Sequence, residues 1–304
     1  MTKNVRILLA TYNGARYLPQ QLQSFAQQTH RDWQIFASDD GSTDQTMDIL
    51  RQFRGPQEQV VTLQQGPRQG FAANFLSLLC ADNLTTGWCA LSDQDDVWLP
   101  HRLENGLALL RDIPDDRPAL ACARTQLVSP DLTPIRLSHS FDRFSFGNAL
   151  VQNVVAGNTI LLNPAAHALI RKAGQQPVPY HDWWIYQLIC GAAGVIRYDP
   201  IPALLYRQHL ENIQGENRSL AARLSRARGF GSGKWTKWFH ANLVGLRRNA
   251  SLLTPEHQSR LQSFDRIGTG SPLSRLRAAK ALKAHRQTPF ETASLYLGAA
   301  YGLI

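Results

Sequence analysis

Long apolar runs and paired cysteines are both absent from this sequence of 304 residues. No stretch approaches the roughly 20 apolar residues that a membrane-spanning helix needs. The first residues lead directly into a predicted strand, so we expect no signal peptide. Four cysteines stand singly in apolar surroundings and predict reduced core residues of a cytoplasmic protein: Cys80, Cys89, Cys122 and Cys190. Neither a membrane-spanning protein nor a disulfide-stabilised secreted protein is therefore expected.

Acidic residues are scarce in the last third of the chain. Residues 215–304 hold 15 Lys and Arg against 4 Asp and Glu, whereas residues 1–214 hold 17 against 19. Basic and apolar side chains are interleaved there: Arg223, Leu224, Arg226, Arg228, Phe230, Lys234, Trp235, Lys237, Trp238, Phe239, Leu243, Leu246, Arg247 and Arg248. A second basic helix is predicted over 273–286. This pattern is typical of helices at an anionic membrane surface, with a solvated helical cap as the alternative. Nucleic-acid binding is not expected, since no recognised module is present.

A Gly-x-Gly-x-x-Gly phosphate loop is also missing, because Gly14 stands alone after the first predicted strand. Strands nevertheless alternate with helices through the first third of the chain. The predicted strands are Val5–Ala10, Trp33–Ser38, Val60–Leu63 and Trp88–Leu91. This alternation predicts an α/β fold with a mainly parallel sheet covered by helices on both faces. Ser42 and Gln45 predict a capping box at the start of the second helix. Without the phosphate loop, a nicotinamide dehydrogenase is not expected.

Polar clusters follow three of the four predicted strands. They are Thr11-Tyr12-Asn13, Asp39-Asp40 and Asp93-Gln94-Asp95-Asp96. Ligands of open parallel sheets bind beyond the carboxyl ends of the strands, so the clusters predict one shared site. Asp40 suits the imide N–H of uracil or thymine, and Tyr12 suits stacking beside the base. Three carboxylates within four residues repel one another and persist mainly around a bound cation, with a solvated acidic loop as the alternative.

The ordered set of these clusters resembles the nucleotide-sugar glycosyltransferases of family 2, which have the GT-A fold. The resemblance covers about residues 4–215, and the run Ser92 to Trp98 with Tyr206-Arg207-Gln208-His209 is most similar to the bacterial rhamnosyltransferase-like branch. It implies a GT-A domain over 1–215 and a basic helical C-terminal appendage over 216–304. It also implies a dTDP- or UDP-sugar donor, with dTDP-L-rhamnose preferred, and a glycan or lipid-linked acceptor.

The resemblance assigns roles to the polar clusters. It implies a nucleotide pocket formed by Thr11, Tyr12, Asn13, Asp39, Asp40 and Asp93. Arg68 is a further donor-site candidate, with a solvent-facing arginine as the alternative. Asp95 is implied as a ligand of Mg²⁺ or Mn²⁺, with Asp93 near the ribose or the metal. His209 is implied either to complete the metal shell or to contact the diphosphate. Asp96 departs from the family pattern, so the set of acids that bind metal stays open.

Two later segments complete the expected site. Residues 152–162 suggest a strand pair, and in the family this region passes under the donor sugar. Gly157 and Asn158 are therefore candidates for the sugar pocket, with a tight β-turn as the alternative. Asp182 opens an apolar helix and corresponds to the family's catalytic base, with a helix N-cap as the alternative. Neighbouring candidates for sugar contacts are His181, Trp183, Trp184 and Arg207, among which the two tryptophans suggest an acceptor platform.

These expectations together describe an inverting, metal-dependent transferase of cell-surface polysaccharide assembly, cytoplasmic or peripheral on the inner face of the plasma membrane. A sugar nucleotidyltransferase would carry a Gly-rich, basic loop after the first strand, and that loop is missing. A non-catalytic sugar-binding or scaffold protein on the same fold would have no need of Asp182. The interpretation requires Asp40, Asp95 and Asp182 to meet at one cleft.

Overall fold

The computed structural model describes residues 3–209, 234–264 and 271–301. Its strands are β1 (Val5–Thr11), β2 (Trp33–Asp39), β3 (Val61–Gln65), β4 (Trp88–Ser92), β5 (Val97–Trp98), β6 (Ala119–Val128), β7 (Pro134–Leu137), β8 (Leu161–Leu162) and β9 (Val195–Arg207). Its helices are α1 (Leu18–Ala26), α2 (Thr46–Gln52), α3 (Phe71–Leu79), α4 (Arg102–Leu109), α5 (Phe146–Ala149), α6 (Pro164–Ala173), α7 (His181–Gly191), α8 (Lys234–Arg248), α9 (Pro255–Phe264), α10 (Pro272–Ala281) and α11 (Pro289–Ala300). None of the helices within these ranges is long and apolar enough to cross a bilayer.

The strands form one curled sheet in the order β3-β2-β1-β4-β8-β6-β9-β5, and β7 pairs with β6. The first four strands are parallel, so their carboxyl ends meet at one edge. Beyond them β8 runs antiparallel to both β4 and β6, while β6 and β9 are parallel. The predicted α/β fold is confirmed. The antiparallel pairings of β5, β7 and β8 were not predicted from the sequence.

Strand β1 shows why the predicted strands are nearly continuous apolar runs. Successive side chains of a strand point to opposite faces of the sheet. Leu8 packs into the core layer that contains α3 and α7, whereas Ile7 and Leu9 pack into the layer beside α1 and α4. Because helices cover both faces, both sets of side chains must be apolar.

Two local predictions are wrong. Helix α2 begins at Thr46, and the hydroxyl of Ser42 donates to Asp39 at 2.5 Å instead of capping a helix. The oxygen that accepts from the N–H of Thr46 belongs to Asp44, at 3.0 Å. Residues 152–162 contain only the two-residue strand β8, preceded by a single 3₁₀ turn over Gly157–Thr159. Short polar segments of this kind carry no clear periodicity, so tertiary contacts decide their conformation.

The C-terminal helices share the core of the sheet domain. Leu246 of α8, Leu282 after α10 and Leu295 of α11 belong to the same buried cluster as Trp184. A Cβ on Gly147 of α5 would lie 2.2 Å from the carbonyl oxygen of Lys283, so the backbones are in direct contact there. The predicted boundary at 215/216 lies outside the described residues. So do Arg223, Leu224, Arg226, Arg228 and Phe230, and the side chains of Lys234 and Trp235.

Candidate active site

The loops after β1 and β2 are joined by hydrogen bonds into one surface, called here the first wall (residues 11–15 and 39–46). Asn13, at a positive φ of 47°, donates its N–H to the Ser42 hydroxyl and accepts the N–H of Thr43 on its side chain, both at 2.8 Å. The N–H of Gly14 donates to the hydroxyl of Thr46 at 2.8 Å. These bonds fix the polar segment Thr11-Tyr12-Asn13 against Asp39-Asp40.

Asp39 forms hydrogen bonds inside the first wall. Its carboxylate accepts the hydroxyl of Thr11 at 2.9 Å and the N–H of Ser42 at 2.8 Å. Asp39 and Thr11 are both buried. The structure therefore assigns these two predicted site residues an internal contact that holds the loop after β2 in place.

Asp40 fixes the loop that carries Arg68. One carboxylate oxygen accepts the N–H of Arg68 at 2.6 Å, and the other accepts the N–H of Gly70 at 2.8 Å. Gly66 fits because a Cβ there would lie 2.8 Å from Asp40 Oδ1. The Arg68 side chain is exposed and lies against Gly41, where an added Cβ would be 3.1 Å from Arg68 Nε. The guanidinium is thus held beside the first wall at the edge of the sheet.

Gln94 connects the first wall to the acidic loop (residues 93–96). Its side-chain oxygen accepts the N–H of Tyr12 at 2.9 Å, and its side-chain N–H donates to the Tyr12 carbonyl at 2.8 Å. Gly14 is required beside it, since a Cβ there would lie 2.1 Å from Gln94 Oε1. The Tyr12 ring itself is 57% exposed and free to contact a ligand. The role of Gln94 is not evident from the sequence, because an amide between two acids has no signal of its own.

The acidic loop gathers oxygen atoms suited to a cation. Ligand atoms of Asp93, Asp95 and Asp96 lie within 4.8 Å of one another, and Nε2 of His209 is 2.8 Å from Oδ2 of Asp95. Burial, together with Asp95 and Asp182, raises the pKa of Asp93 to about 7. Carboxylate oxygens and an imidazole nitrogen suit Mg²⁺ and Mn²⁺, and a divalent ion would relieve this repulsion. The residues present therefore fit a metal.

Asp96 differs from the two other acids of the loop. It is fully buried, and its Oδ2 accepts the side-chain N–H of Asn158 at 2.6 Å. Burial and the neighbouring charges of Asp95 and Asp93 raise the pKa of Asp96 well above its usual range. The hydrogen bond places Asn158, a predicted sugar-pocket residue, directly against the acidic loop.

A buried cation compensates these charges from behind. The guanidinium of Arg102 donates from Nη2 to the carbonyl oxygens of Leu91 at 2.8 Å and Asn158 at 2.6 Å. It lies 3.2 Å from the ring centroid of Trp98 and interacts electrostatically with Asp96 and Asp93. Arg102 was not anticipated from the sequence. Its role is evident only in the folded protein, where the start of α4 lies beside both β4 and the turn at Asn158.

The structure corrects the predicted role of Arg207. This side chain is buried and donates to the Asp95 carbonyl at 2.9 Å and to the Gln20 side chain at 2.6 Å, and also to the Pro130 carbonyl. The guanidinium thus supports the backbone of the acidic loop from inside the protein. It is not positioned as a sugar contact.

Asp182 faces the acidic loop from the start of α7. Its carboxylate accepts the N–H of Trp183 at 2.7 Å, and it also accepts from the Asn153 side chain and from the N–H of Gly157. Burial raises the pKa of Asp182 to about 6. The N-cap of α7 is Tyr180, so the alternative that Asp182 is the N-cap is excluded. Because Asp182 contributes to the raised pKa of Asp93, the two carboxylates lie within electrostatic reach.

Gly157 allows the close approach that forms the second wall of the site (residues 153–159 and 181–184). A Cβ at Gly157 would lie 2.8 Å from His181 Nε2 and 3.2 Å from Asp182 Cβ. His181 is buried and stacks on Phe75 with ring centroids 4.1 Å apart. Burial lowers the pKa of His181 to about 3, so the imidazole is neutral near neutral pH.

The predicted acceptor platform of Trp183 and Trp184 is wrong. Both side chains are core residues. The Trp183 indole donates its N–H to the Ala149 carbonyl at 2.7 Å and meets Phe239 of α8 edge-on. The Trp184 ring packs on Gly245 of α8, where an added Cβ would be 3.0 Å away. Neither ring offers a face to a sugar, because α8, whose position the sequence does not reveal, covers them.

A chain of contacts at the edge of the sheet connects the segments that carry Asp40, Asp95 and Asp182. Asp40 follows β2 and donates its N–H to the Thr11 carbonyl at 2.8 Å, in the loop that Gln94 ties to the acidic loop. Asp95 lies in the acidic loop itself, and Asp182 faces that loop from the second wall. The acidic loop thus lies between the first wall on one side and the half-buried carboxylate of Asp182 on the other.

Comparison with known proteins adds a family and several relatives. The family model described as Glycosyl transferase family 2 matches residues 6–174. The chain is 26% identical over 242 residues to the dTDP-rhamnosyl transferase RfbG of Shigella flexneri, an alignment that covers 75% of this chain and 80% of that protein.

Solved structures resemble the chain along nearly its whole length. S. aureus TarS 1–349 in complex with UDP-GlcNAc has a TM-score of 0.55 at 13% identity, covering 98% of this chain and 90% of that fragment. The mannosyltransferase PcManGT of Pyrobaculum calidifontis, in complex with GDP-Man and Mn²⁺, has a TM-score of 0.50 at 17% identity, covering 100% and 86%. At such identities these likenesses show the fold alone, which is GT-A.

Proposed function

The chain belongs to glycosyl transferase family 2, and we propose that it is an inverting, metal-dependent enzyme that transfers a sugar from a nucleoside diphosphate to a hydroxyl group of a glycan or lipid-linked acceptor. The observation that carries this proposal is the position of Asp182. A half-buried carboxylate with its pKa raised to about 6 faces the acidic loop at the carboxyl edge of the sheet. Groups with perturbed pKa values in such a cleft are candidates for proton transfer.

The donor in this proposal is dTDP-L-rhamnose, with other dTDP- or UDP-sugars as the wider class. The similarity to RfbG, a protein named as a dTDP-rhamnosyl transferase, supports this choice. The pyrimidine would stack on the exposed Tyr12 ring beside Asp40, in a pocket with Asn13, Arg68 and Asp93, while the buried Thr11 and Asp39 would support this pocket from inside. Asn158 and Gly157 would contact the donor sugar, and the neutral His181 ring would lie behind Gly157.

Asp93, Asp95 and His209 would hold Mg²⁺ or Mn²⁺, whose charge would stabilise the departing nucleoside diphosphate. Asp96 is left out of this set because it is buried and bonded to Asn158. The role of Asp96 and Arg102 is to shape the floor of the site, since they connect the acidic loop to the turn at Asn158.

Asp182 is the general base of the proposed reaction. It would take the proton of the acceptor hydroxyl as that oxygen bonds to the anomeric carbon, while the bond from that carbon to the diphosphate oxygen breaks on the opposite face. A single displacement of this kind inverts the configuration. General-base catalysis typically contributes about 10²–10⁴ in rate. The bonds from Asn153 and Gly157 orient the carboxylate.

Donor binding is tested by thermal shift with dTDP, UDP and GDP, each with and without Mn²⁺. A pyrimidine diphosphate should stabilise the protein, and the ion should increase the effect. Stabilisation by GDP alone would contradict the pocket assigned to Tyr12 and Asp40.

Catalysis is tested by donor turnover in Asp182→Asn. Turnover should fall about 10²–10⁴-fold while donor binding is kept. Asp199→Asn is the matched control, because Asp199 is a buried carboxylate that likewise accepts a backbone N–H, that of Ile201 at 2.9 Å. Equal turnover in wild type and Asp182→Asn would remove the base, and no turnover in either would favour a sugar-binding protein.

The acceptor side of the proposal places the enzyme at the cytoplasmic face of the plasma membrane, in cell-surface polysaccharide assembly. The excess of 15 basic over 4 acidic residues in 215–304 supports this location, since anionic lipids attract such segments.

A further inference from the structure

The last helix of the described chain carries an apolar stripe that faces away from the core. Phe290 is 81% exposed, Leu297 61% and Tyr301 75%. Residues at i, i+7 and i+11 lie on one face of an α-helix, and the stripe is about 16 Å long at 1.5 Å per residue. Leu295 and Ala299 on the opposite face are buried in the core. Helix α11 is thus fixed by one face while the other remains exposed.

Helix α10 extends this surface and adds positive charge. Leu273 is 66% exposed, and Arg277 and Lys280, which follow at i+4 and i+7, are exposed as well. Ala278 and Ala279 are buried in the same core cluster that holds Leu295 and Ala299 of α11. Helices α10 and α11 also pack against each other, so their exposed faces are neighbours on the surface.

Helix α8 is the contrasting case. It belongs to the basic, Trp-containing segment whose sequence suits either a membrane surface or a solvated helical cap. Leu243 and Leu246 are buried, Trp238 meets Tyr180 edge-on at 5.0 Å, and Phe239 contacts Trp183. The described apolar side chains of α8 therefore belong to the core, which favours the helical cap for this helix.

We propose that the stripe of Phe290, Leu297 and Tyr301, with Leu273, Arg277 and Lys280 beside it, docks on an anionic lipid bilayer. The inference rests on the proposed function, in which the acceptor is lipid-linked, and it names the surface that meets the membrane. Residues 271–301 contain five Lys and Arg against one Glu. Such a face complements anionic headgroups, whereas pairing with a second copy would bring like charges together.

The test is co-sedimentation of the full chain with vesicles of phosphatidylcholine, with and without phosphatidylglycerol. Wild type should bind the anionic vesicles. The stripe variant, Phe290→Ser with Leu297→Ser and Tyr301→Ser, should bind them at least about tenfold more weakly. The matched control changes three exposed apolar residues elsewhere, Val60→Ser, Ile135→Ser and Ile201→Ser, whose exposures are 54%, 56% and 61%, and it should bind like wild type.

A second pair of changes examines the charge. Arg277→Gln with Lys280→Gln should weaken binding to anionic vesicles by roughly fivefold for each basic side chain removed. The binding should also depend less on salt concentration. Equal binding of wild type and the stripe variant would overturn the proposal. So would a wild-type dimer that the stripe variant converts to a monomer, because the face would then cover a second copy. Thermal shifts with dTDP and UDP on the same proteins distinguish the two proposals. If wild type binds the anionic vesicles but neither nucleotide stabilises it, the proposed function is overturned and the docking surface is not.

Discussion

The first and second walls of the site are held together by different kinds of contact. In the first wall, main-chain N–H groups of one loop bond to side-chain oxygens of the other, as between Asn13 and Ser42 or Gly14 and Thr46. In the second wall, buried charges and close backbone packing prevail, as between Arg102 and Asn158 or Gly157 and His181. Neutral hydrogen bonds contribute about 1 kcal/mol each, whereas an uncompensated buried charge costs several times more. Substitution of the buried residues that support the second wall should therefore lower the free energy of unfolding more than substitution of residues that connect the first wall.

The strongest test of this difference is Arg102→Met. The substitution leaves the buried carboxylate of Asp96 without the cation that faces it, so the free energy of unfolding should fall by about 3–5 kcal/mol. Adding Asp96→Asn should restore part of the loss, because the uncompensated charge disappears. Urea unfolding of the two single variants and the double variant measures the coupling.

Arg171→Met is the control for Arg102→Met. The guanidinium of Arg171 also donates to two carbonyl oxygens, those of Ala81 at 2.6 Å and Leu84 at 2.8 Å, and no ion pair with a carboxylate is recorded for it among the described residues. Its loss should cost about 1–3 kcal/mol. If Asp96→Asn made the Arg102→Met protein less stable still, charge compensation behind the second wall would be refuted.

The two walls also differ in how far the sequence revealed them. The residues of the first wall and the acidic loop follow their strands directly, so the parallel alternation of strands and helices predicted that Thr11, Asp39, Asp40 and Asp95 lie at one edge. Helix start signals were less reliable, since Ser42 bonds to Asp39 while Asp44 accepts the first helical N–H. Side chains that compete for backbone partners allow both outcomes.

The second wall depends on contacts between distant parts of the chain. Trp183 and Trp184 resemble a platform in the sequence and become core residues because α8 packs over them. Arg207 is predicted as a sugar contact and instead bonds to the Asp95 carbonyl and Gln20. Local sequence does not indicate which helix covers a surface, so burial had to come from the structure.

A pH series separates the proposed base from the rest of the second wall. Burial raises the pKa of Asp182 from 3.8 to about 6. Between these two pH values the Asp182 carboxyl group of the folded protein keeps a proton that the unfolded chain has released. The contribution of Asp182 to the free energy of unfolding is therefore largest below pH 3.8 and is lost as the pH rises through about 6. Turnover should change in the opposite direction, rising about tenfold per pH unit up to about 6, because the base must be ionised.

Two measurements check this prediction. Urea unfolding in the presence of EDTA gives the stability of wild type and Asp182→Asn at each pH, and the difference between the two curves isolates Asp182 from its acidic neighbours. Initial rates with Mn²⁺ give the activity profile. Parallel stability curves for the two proteins would show that Asp182 does not titrate with a raised pKa.

The smallest effect should come from Gln94→Ala, which breaks the connection between the first wall and the acidic loop. The change removes two exposed hydrogen bonds to the Tyr12 backbone, so stability should fall by only about 1 kcal/mol. Donor KM should rise about fivefold with kcat nearly unchanged, because Tyr12 would lose its fixed position while Asp182 keeps its own. Gln64→Ala removes two longer bonds, at 3.3 and 3.4 Å, and should leave donor KM unchanged. A fall in kcat as large as that expected for Asp182→Asn would mean that the two walls act as one unit, and the comparison between them would fail.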